Sequence, residues 1–425
     1  MDETHELDGF VERVAAVDVG KNELKVCVRV PGERVGRRRQ EVRTYPARTR
    51  SILELADWLG EQQVELVVME ATGDYWKPVF YLLEDEVECW LLDARQVKHL
   101  PGRPKTDRED SIWLAKVAER GMAKSSFVPP KPIRQLRDLT RYRRSLTQDR
   151  TRNKQRLEKI LEDAQIKLSS VITDIHGVSG REMIEALIGG QRDAKVLAQM
   201  AHGAMRGKIS VLEEALTGQF THHHALICRM MLDTIDGLSV QIQQLSERIE
   251  QAAEPFARQV EQLDEITGVG RIAAQDIIAE IGVDMLVFAT AAHLVSWAKF
   301  CPQVIQSGGK PARGTATGHG DPWLGAAIGE AAIAAARTRS FLGARYRRLV
   351  RRRGKKKALV AVGNSMLTII WQLLSDPDAH YRDLGADFYD AHLNTHRRQR
   401  SLISQLEKLT GKTVILATEI PRPAA

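Results

Sequence analysis

VAAVDVGKNELKVCVRV, residues 14–30, is the stretch that decides the fold. An apolar run over residues 11–17 predicts a strand that ends at Asp18, and Gly20-Lys21-Asn22 predicts a turn after it. Leu24, Val26, Val28 and Val30 then alternate with Lys25, Cys27 and Arg29, the period of a half-buried strand. Working outward, a third strand is expected at about residues 41–45, after a basic turn formed by Arg37-Arg38-Arg39. Ile52, Leu55, Ala56 and Leu59 carry a helical period. Residues 64–69 read as a buried strand that delivers Glu70. A further helix, a short strand over residues 89–92 and a helix from about Thr106 complete the series.

Three strands followed by alternating helix and strand is the order of an RNase H-like α/β domain. Such a sheet binds its ligands at the carboxyl ends of the strands, where Asp18 and Glu70 fall. Asp107 and Asp110 are spaced i, i+3 and share a face of the helix that follows. Phosphodiester chemistry assisted by divalent cations needs several oxygen ligands converging on one point. A hard, all-oxygen set selects Mg²⁺, with Mn²⁺ as the alternative, over Zn²⁺. Asp18, Glu70, Asp107 and Asp110 are therefore the candidate metal ligands, with Asp74, Asp93 and Glu109 as near competitors. Glu109 should point away from Asp107 and Asp110.

The chain has 425 residues, 62 Lys and Arg against 55 Asp and Glu, and a net charge of +7. That excess points to a polyanionic partner, above all nucleic acid. The four cysteines are scattered, which argues against a zinc ribbon or disulfide framework and suits a reducing cytoplasm. MDETHELDGF, residues 1–10, lacks the apolar core of a secretory leader, and no apolar run is expected to cross a bilayer.

Pro129, Pro130 and Pro132 end the first domain, residues 1–130. Residues 131–255 read as a basic helical or coiled-coil region. Twelve Lys and Arg stand against five Asp and Glu over residues 131–167. Cys228, Met231, Ile235, Leu238, Ile242, Leu245, Ile249 and Ala252 step by three and four, the seam of an antiparallel hairpin or an intermolecular coiled coil. His222-His223-His224 reads as a solvated or interface position, because consecutive residues do not share a helix face. Residues 256–380 form a mainly helical third domain, and residues 381–425 a polar tail expected to lack structure. The fold class is thus α/β plus all-α.

Two further segments carry chemistry. Ile266-Thr267-Gly268-Val269-Gly270, set between apolar helical residues, is a helix-hairpin-helix pattern. Its Gly268 and Gly270 would let the backbone approach a phosphate. PQVIQSGGKPARG, residues 302–314, is a basic loop in which Ser307 precedes two glycines and Lys310 and Arg313 stand ready for a phosphate. Nine cations and no acid over residues 345–357, among them Arg351, Arg352 and Lys355, suit a phosphate-tracking patch. From these residues alone, a metal-dependent nuclease using activated water, a strand-exchanging recombinase and a non-catalytic nucleic-acid scaffold all remain open.

Taken together, VAAVDVGK, VVMEATGDYW, LPGRPKTDREDSIWLA, IHGVSGREMIEALIGGQRD, LEEALTGQF, ITGVGRIAAQDIIAEIG and FCPQVIQSGGKPARG resemble the DEDD transposases of insertion-sequence family 110. The resemblance implies a RuvC-like first domain, a coiled-coil middle and a C-terminal transposase domain in a bacterial, cytoplasmic enzyme. It implies Mg²⁺ on Asp18, Glu70, Asp107 and Asp110, and Ser307 as a nucleophile that forms a 5′-phosphoserine link. It further implies donor and target double-stranded DNA, a non-coding bridge RNA that pairs with both, and a dimer or tetramer.

Overall fold

The structure, a computed structural model, describes residues 11–34, 37–71, 73–94, 97, 106–302, 304–305, 313–314, 317–391 and 395–414. At 107, 304, 305, 313, 314, 390 and 395–398 the description is of the backbone alone. The chain divides into two compact units, Met1–Val128 and Pro129–Ala425.

The first unit is a mixed five-stranded sheet in the order β3-β2-β1-β4-β5. The strands are β1 (Val14–Val19), β2 (Glu23–Pro31), β3 (Arg38–Pro46), β4 (Leu66–Glu70) and β5 (Glu88–Leu92). β1 pairs antiparallel with β2 and parallel with β4, so the first three strands form a meander and the last two extend it in parallel. Val14, Ala15, Ala16 and Val17 are all fully buried, as a central strand covered on both faces requires. Helices α1 (Thr49–Glu61) and α2 (Trp76–Leu83) cover one face, packing Ile52, Leu55, Leu59, Phe80 and Leu83 on Val17, Val26, Val67 and Met69. Helix α3 (Asp107–Glu119) covers the other, packing Leu114, Ala115 and Ala118 on Val14, Ala16, Cys27 and Val68.

Two expectations change here. Arg38 and Arg39 are strand residues, not a turn: the turn lies earlier, closed by the Gly32 amide donating to the Arg37 carbonyl at 2.8 Å. Glu119, which is 9% exposed, forms an ion pair with Arg38 at 2.9 Å and accepts a hydrogen bond from Arg29 at 2.6 Å. The face bearing Lys25, Cys27 and Arg29 is likewise covered, since Cys27 is fully buried beneath α3. Burial pushes the Cys27 thiol up to about 11, despite the nearby Arg29 and Lys116.

The second unit is helical. Its spine is α4 (Lys131–Asp163), with α5 (Val178–Ile188) and α6 (His222–Ala252) following. The heptad stripe closes within one chain, as an antiparallel hairpin: Asp163 of α4 meets His224 of α6 at 3.1 Å, and Arg150 meets Ser239 at 3.3 Å. Leu157, Leu161 and Ala164 bury against Ala225, Cys228, Leu232 and Ile235. His224 of the histidine triplet is buried and completes a capping box with Thr221, whose amide donates to its Nδ1 at 3.0 Å. His222 and His223 are exposed.

After the hairpin come α7 (Ala257–Asp264), α8 (Arg271–Ile281), α9 (Ala291–Trp297), the two-residue strands β6 (Val304–Ile305) and β7 (Arg313–Gly314), α10 (Pro322–Ala336), α11 (Phe341–Arg353), α12 (Lys355–Ser375) and α13 (Thr395–Thr410). Much of the positive charge of α4 is consumed internally. Arg141 grips Glu280 of α8 with two hydrogen bonds, at 2.8 and 2.7 Å, and reaches Asp321 at 3.1 Å. Arg143 donates to Gln275 at 3.1 Å and Asp276 at 2.7 Å, and Arg144 pairs with Glu330 of α10. Arg137 donates to the Ala279 and Glu280 carbonyls at 2.9 and 2.8 Å, satisfying the C-terminal end of α8. Asp321 also caps α10, accepting from the Trp323 and Leu324 amides at 2.7 and 2.9 Å.

The tail corrects a further expectation. Residues 388–391 are helical and held by aromatic contacts, with Phe341 stacked on Tyr389 at 5.5 Å and edge-on to Phe388 at 5.0 Å. α13 follows because Leu402, Leu406 and Leu409 recur at helical spacing amid good helix formers. Finally, α12 is long and apolar enough by length and composition to cross a membrane, although Asn364, Ser365, Thr368 and Gln372 interrupt its apolar run. Its Val362, Met366, Leu367 and Ile370 are fully buried in the second unit.

Candidate active site

β1 and β4 run parallel and in register, Val17 beside Met69, so Asp18 and Glu70 are neighbours at the carboxyl ends of adjacent strands. In-register residues on paired strands project to the same side. Asp18 alternates with Val14 and Ala16, and Glu70 with Leu66 and Val68, all of which face α3. Both acids therefore stand on the α3 side of the sheet, and both are half-buried.

α3 carries a third acid, Asp110, on its sheet-facing side. Glu119 is anchored to Arg29, which pairs with Val14. Asp110 precedes Glu119 by nine residues, about 13.5 Å of helix. Asp18 follows Val14 by four residues, about 13 Å of strand. Leu114, Ala115 and Ala118 pack α3 on the sheet, and Asp110 lies N-terminal to them on the same helix. Asp110 is 8% exposed and lies on the same face as Leu114 and Ala118. Asp107 opens the helix one turn earlier.

Local chemistry fixes this start. Thr106 caps α3, its hydroxyl accepting from the Glu109 amide at 3.4 Å and donating to the Glu109 carboxylate at 3.1 Å. Glu109 is exposed and engaged in that cap, apart from the face carrying Asp110. Asp74 is 84% exposed and pairs with Lys77 at 2.8 Å. Asp93 lies one residue beyond β5.

Asp18, Glu70 and Asp110 supply only oxygen donors, which fits a hard divalent cation. Among the described residues no three side chains of His, Cys, Asp or Glu stand close enough to cage a metal, and the Asp107 side chain lies outside that description.

The remaining sequence candidates belong to the second unit. Ser307 and Lys310 fall outside the described residues, and Arg313 is described by backbone only. The ends of their loop are nonetheless joined, because Val304 pairs with Gly314 and Ile305 with Arg313. The helix-hairpin-helix pattern is realised as α7, a turn and α8. Gly268 adopts φ +95°, and a Cβ there would lie 2.5 Å from the Ala331 carbonyl of α10, so close helix packing demands this glycine. Gly270 is exposed with open space around it, the condition for backbone contact with a ligand. Arg351, Arg352 and Arg353 end α11, and Lys355, Lys356 and Lys357 begin α12. All six are exposed around Gly354, whose φ of +79° turns one helix into the next.

Sequence reasoning missed Lys25, which the ladder sets directly opposite Asp18, and Thr44, which it sets opposite Lys25. Only the strand register reveals them, because Lys25 reads in isolation as the polar half of an alternating strand.

Two family models match the chain. One, for a transposase of the DEDD, IS110 type, matches residues 15–166, from β1 to the end of the α4 region. The other, described as the transposase IS116/IS110/IS902 family, matches residues 260–347, from α7 into α11. No curated protein matches the chain.

Proposed function

The chain belongs to the IS110 family of DEDD transposases, and from that premise we propose that it is an RNA-guided, Mg²⁺-dependent recombinase that cuts and rejoins the DNA of an insertion sequence. The observation that carries the proposal is the adjacency of Asp18 and Glu70 on the sheet face covered by α3, the helix that bears Asp110 and that Asp107 opens. The meander of three strands followed by two parallel ones supports an RNase H/RuvC-like reading of the first unit.

In this mechanism Asp18, Glu70, Asp107 and Asp110 would hold Mg²⁺, for which Mn²⁺ could substitute. A divalent cation held there would supply charge stabilisation at the phosphate being transferred. Ser307 attacks through its hydroxyl oxygen, losing the proton as the bond to phosphorus forms. The bond from phosphorus to the 3′ oxygen breaks, leaving a 3′-hydroxyl and a 5′-phosphoserine. The energy of the cut bond is kept in the serine ester, so rejoining needs no external source. Lys310 and Arg313 neutralise the phosphate beside the serine. The exposed Gly270 in the α7–α8 turn, with Arg351, Arg352 and Lys355, tracks the nucleic-acid backbone, while Gly268 serves the packing of that turn on α10. A bridge RNA pairing with donor and target supplies sequence choice, so the protein needs no base-reading module. The acids and the serine act on one phosphate in a dimer or tetramer, in which subunits exchange these parts.

The test is strand exchange between donor and target duplexes by purified protein, with the non-coding RNA from the element's ends and Mg²⁺. Joined product is expected only with both present, and a chelator or omission of the RNA should abolish it. Cutting at an unchanged rate and position without RNA would instead identify a structure-specific nuclease.

A further inference from the structure

Asp18 pairs with Lys25 of β2, and Lys25 pairs with Thr44 of β3. Residues opposed in an antiparallel ladder project to the same face. With Glu70 alongside Asp18, the sheet presents one row, Thr44, Lys25, Asp18 and Glu70, across four strands, about 14 Å from end to end. A cation and a hydroxyl thus continue the acid row toward the β3 edge. The Lys25 ammonium lies 3.2 Å from the Thr44 hydroxyl and 3.1 Å from Glu23, and its side chain is only 24% exposed.

Lys25 is an odd choice for this place. β2 is an interior strand, and the next residue on the same face, Cys27, is fully buried. A β-branched residue would serve the strand better. The partner that holds the ammonium is also weak, because Glu23 is 54% exposed and an ion pair so open to water adds little.

We propose that Lys25 contacts the DNA backbone, binding a phosphate next to the one being cut, with Thr44 steadying its ammonium. The assignment rests on the acid row being the reactive site. Asp18 and Glu70 set two carboxylates side by side, and a phosphodiester brought there meets their repulsion wherever no cation faces it. Lys25, one strand from Asp18, supplies a counter-charge on the flank where the strand must lie. When DNA enters, the ammonium trades the Glu23 carboxylate for a phosphate oxygen, an exchange of one charge-assisted hydrogen bond for another.

The experiment uses the full chain with its DNA substrate and guide RNA, and compares Lys25→Gln, Lys25→Arg and Glu23→Gln. Lys25→Gln is expected to raise KM for DNA about tenfold while kcat changes by less than about threefold. It should also reduce the slope of log affinity against log salt by about one. Lys25→Arg should restore most of the loss, and Glu23→Gln should leave DNA affinity intact or improve it. Equal losses in Lys25→Gln and Glu23→Gln with an unchanged salt slope would overturn the proposal, because they would show a pair that serves the fold alone. Should the wild-type protein fail to cut DNA, the assignment of the acids falls. The salt slope from binding alone then still decides on Lys25, and a slope unaffected by Lys25→Gln overturns it.

Discussion

Replacing Asp18 with asparagine is expected to lower strand cleavage about a thousandfold or more while leaving the fold and DNA binding in place. The expectation follows from where the side chain sits. Asp18 lies in a central strand between Val17 and Val19, which are 0% and 6% exposed, so the backbone there is fixed by packing that asparagine does not disturb. Asparagine matches the aspartate in size and removes the charge and one strong metal-binding oxygen. A cation at a phosphoryl centre supplies several kcal/mol of charge stabilisation, and each 1.36 kcal/mol is a factor of ten in rate. Cleavage of labelled DNA, with thermal unfolding and a binding isotherm on the same sample, checks it. Activity within tenfold of wild type would remove Asp18 from the reactive centre.

Arg141→Ala is expected to destabilise the helical unit by up to about 3–5 kcal/mol, the usual cost of breaking a buried ion pair, reduced by whatever Arg137, 3.3 Å from the same carboxylate, still supplies. Glu280 is 2% exposed, and Arg141 covers it with two hydrogen bonds while bridging to Asp321. Trp323 lies 5.6 Å from the same guanidinium and loses a cation–π contact as well. Burial already pushes the Glu280 carboxyl above its ordinary range, against the pull of Arg141 and Arg137. A carboxyl whose folded pKa exceeds its unfolded value binds a proton more readily when folded, so this group favours folding at low pH and loses that contribution as pH rises through the folded pKa. Removing Arg141 pushes the folded value further up. The penalty is therefore expected to be larger at pH 8 than at pH 5. Denaturant unfolding of the full chain at the two pH values measures it. Glu280→Gln, which discards the charge and keeps an amide, should cost less than Arg141→Ala, and the reverse order would contradict the network.

Much of the first unit was legible from sequence because its signals are local. The alternation around Val26 and Val28, the apolar run before Asp18 and the run before Glu70 each specify a strand without reference to the rest of the chain. A helix from about Thr106 was expected too, and α3 begins at Asp107. What was lost depends on distant partners. Arg38 reads as a turn residue until Glu119 is known to receive it, and Lys25 reads as a solvent-facing lysine until the register sets it beside Asp18. The basic helix α4 looks like a nucleic-acid track. Yet Arg137, Arg141, Arg143 and Arg144 are spent on groups more than a hundred residues away. Gly268 matches a phosphate-contact pattern, while the backbone of α10 explains it without any ligand. The tail helix was missed because polar composition outweighed the spacing of three leucines.

The most direct measurement is a search for a covalent bond between protein and DNA. End-labelled donor DNA would be incubated with protein, guide RNA and Mg²⁺, denatured, and the adduct digested and sequenced by mass spectrometry. The expected result is a nucleotide carried on Ser307 through its 5′ phosphate, absent in Ser307→Ala and absent in Asp18→Asn. DNA cut at the wild-type rate by Ser307→Ala, with no adduct in either protein, would contradict the serine mechanism and leave a site in which the acids activate water.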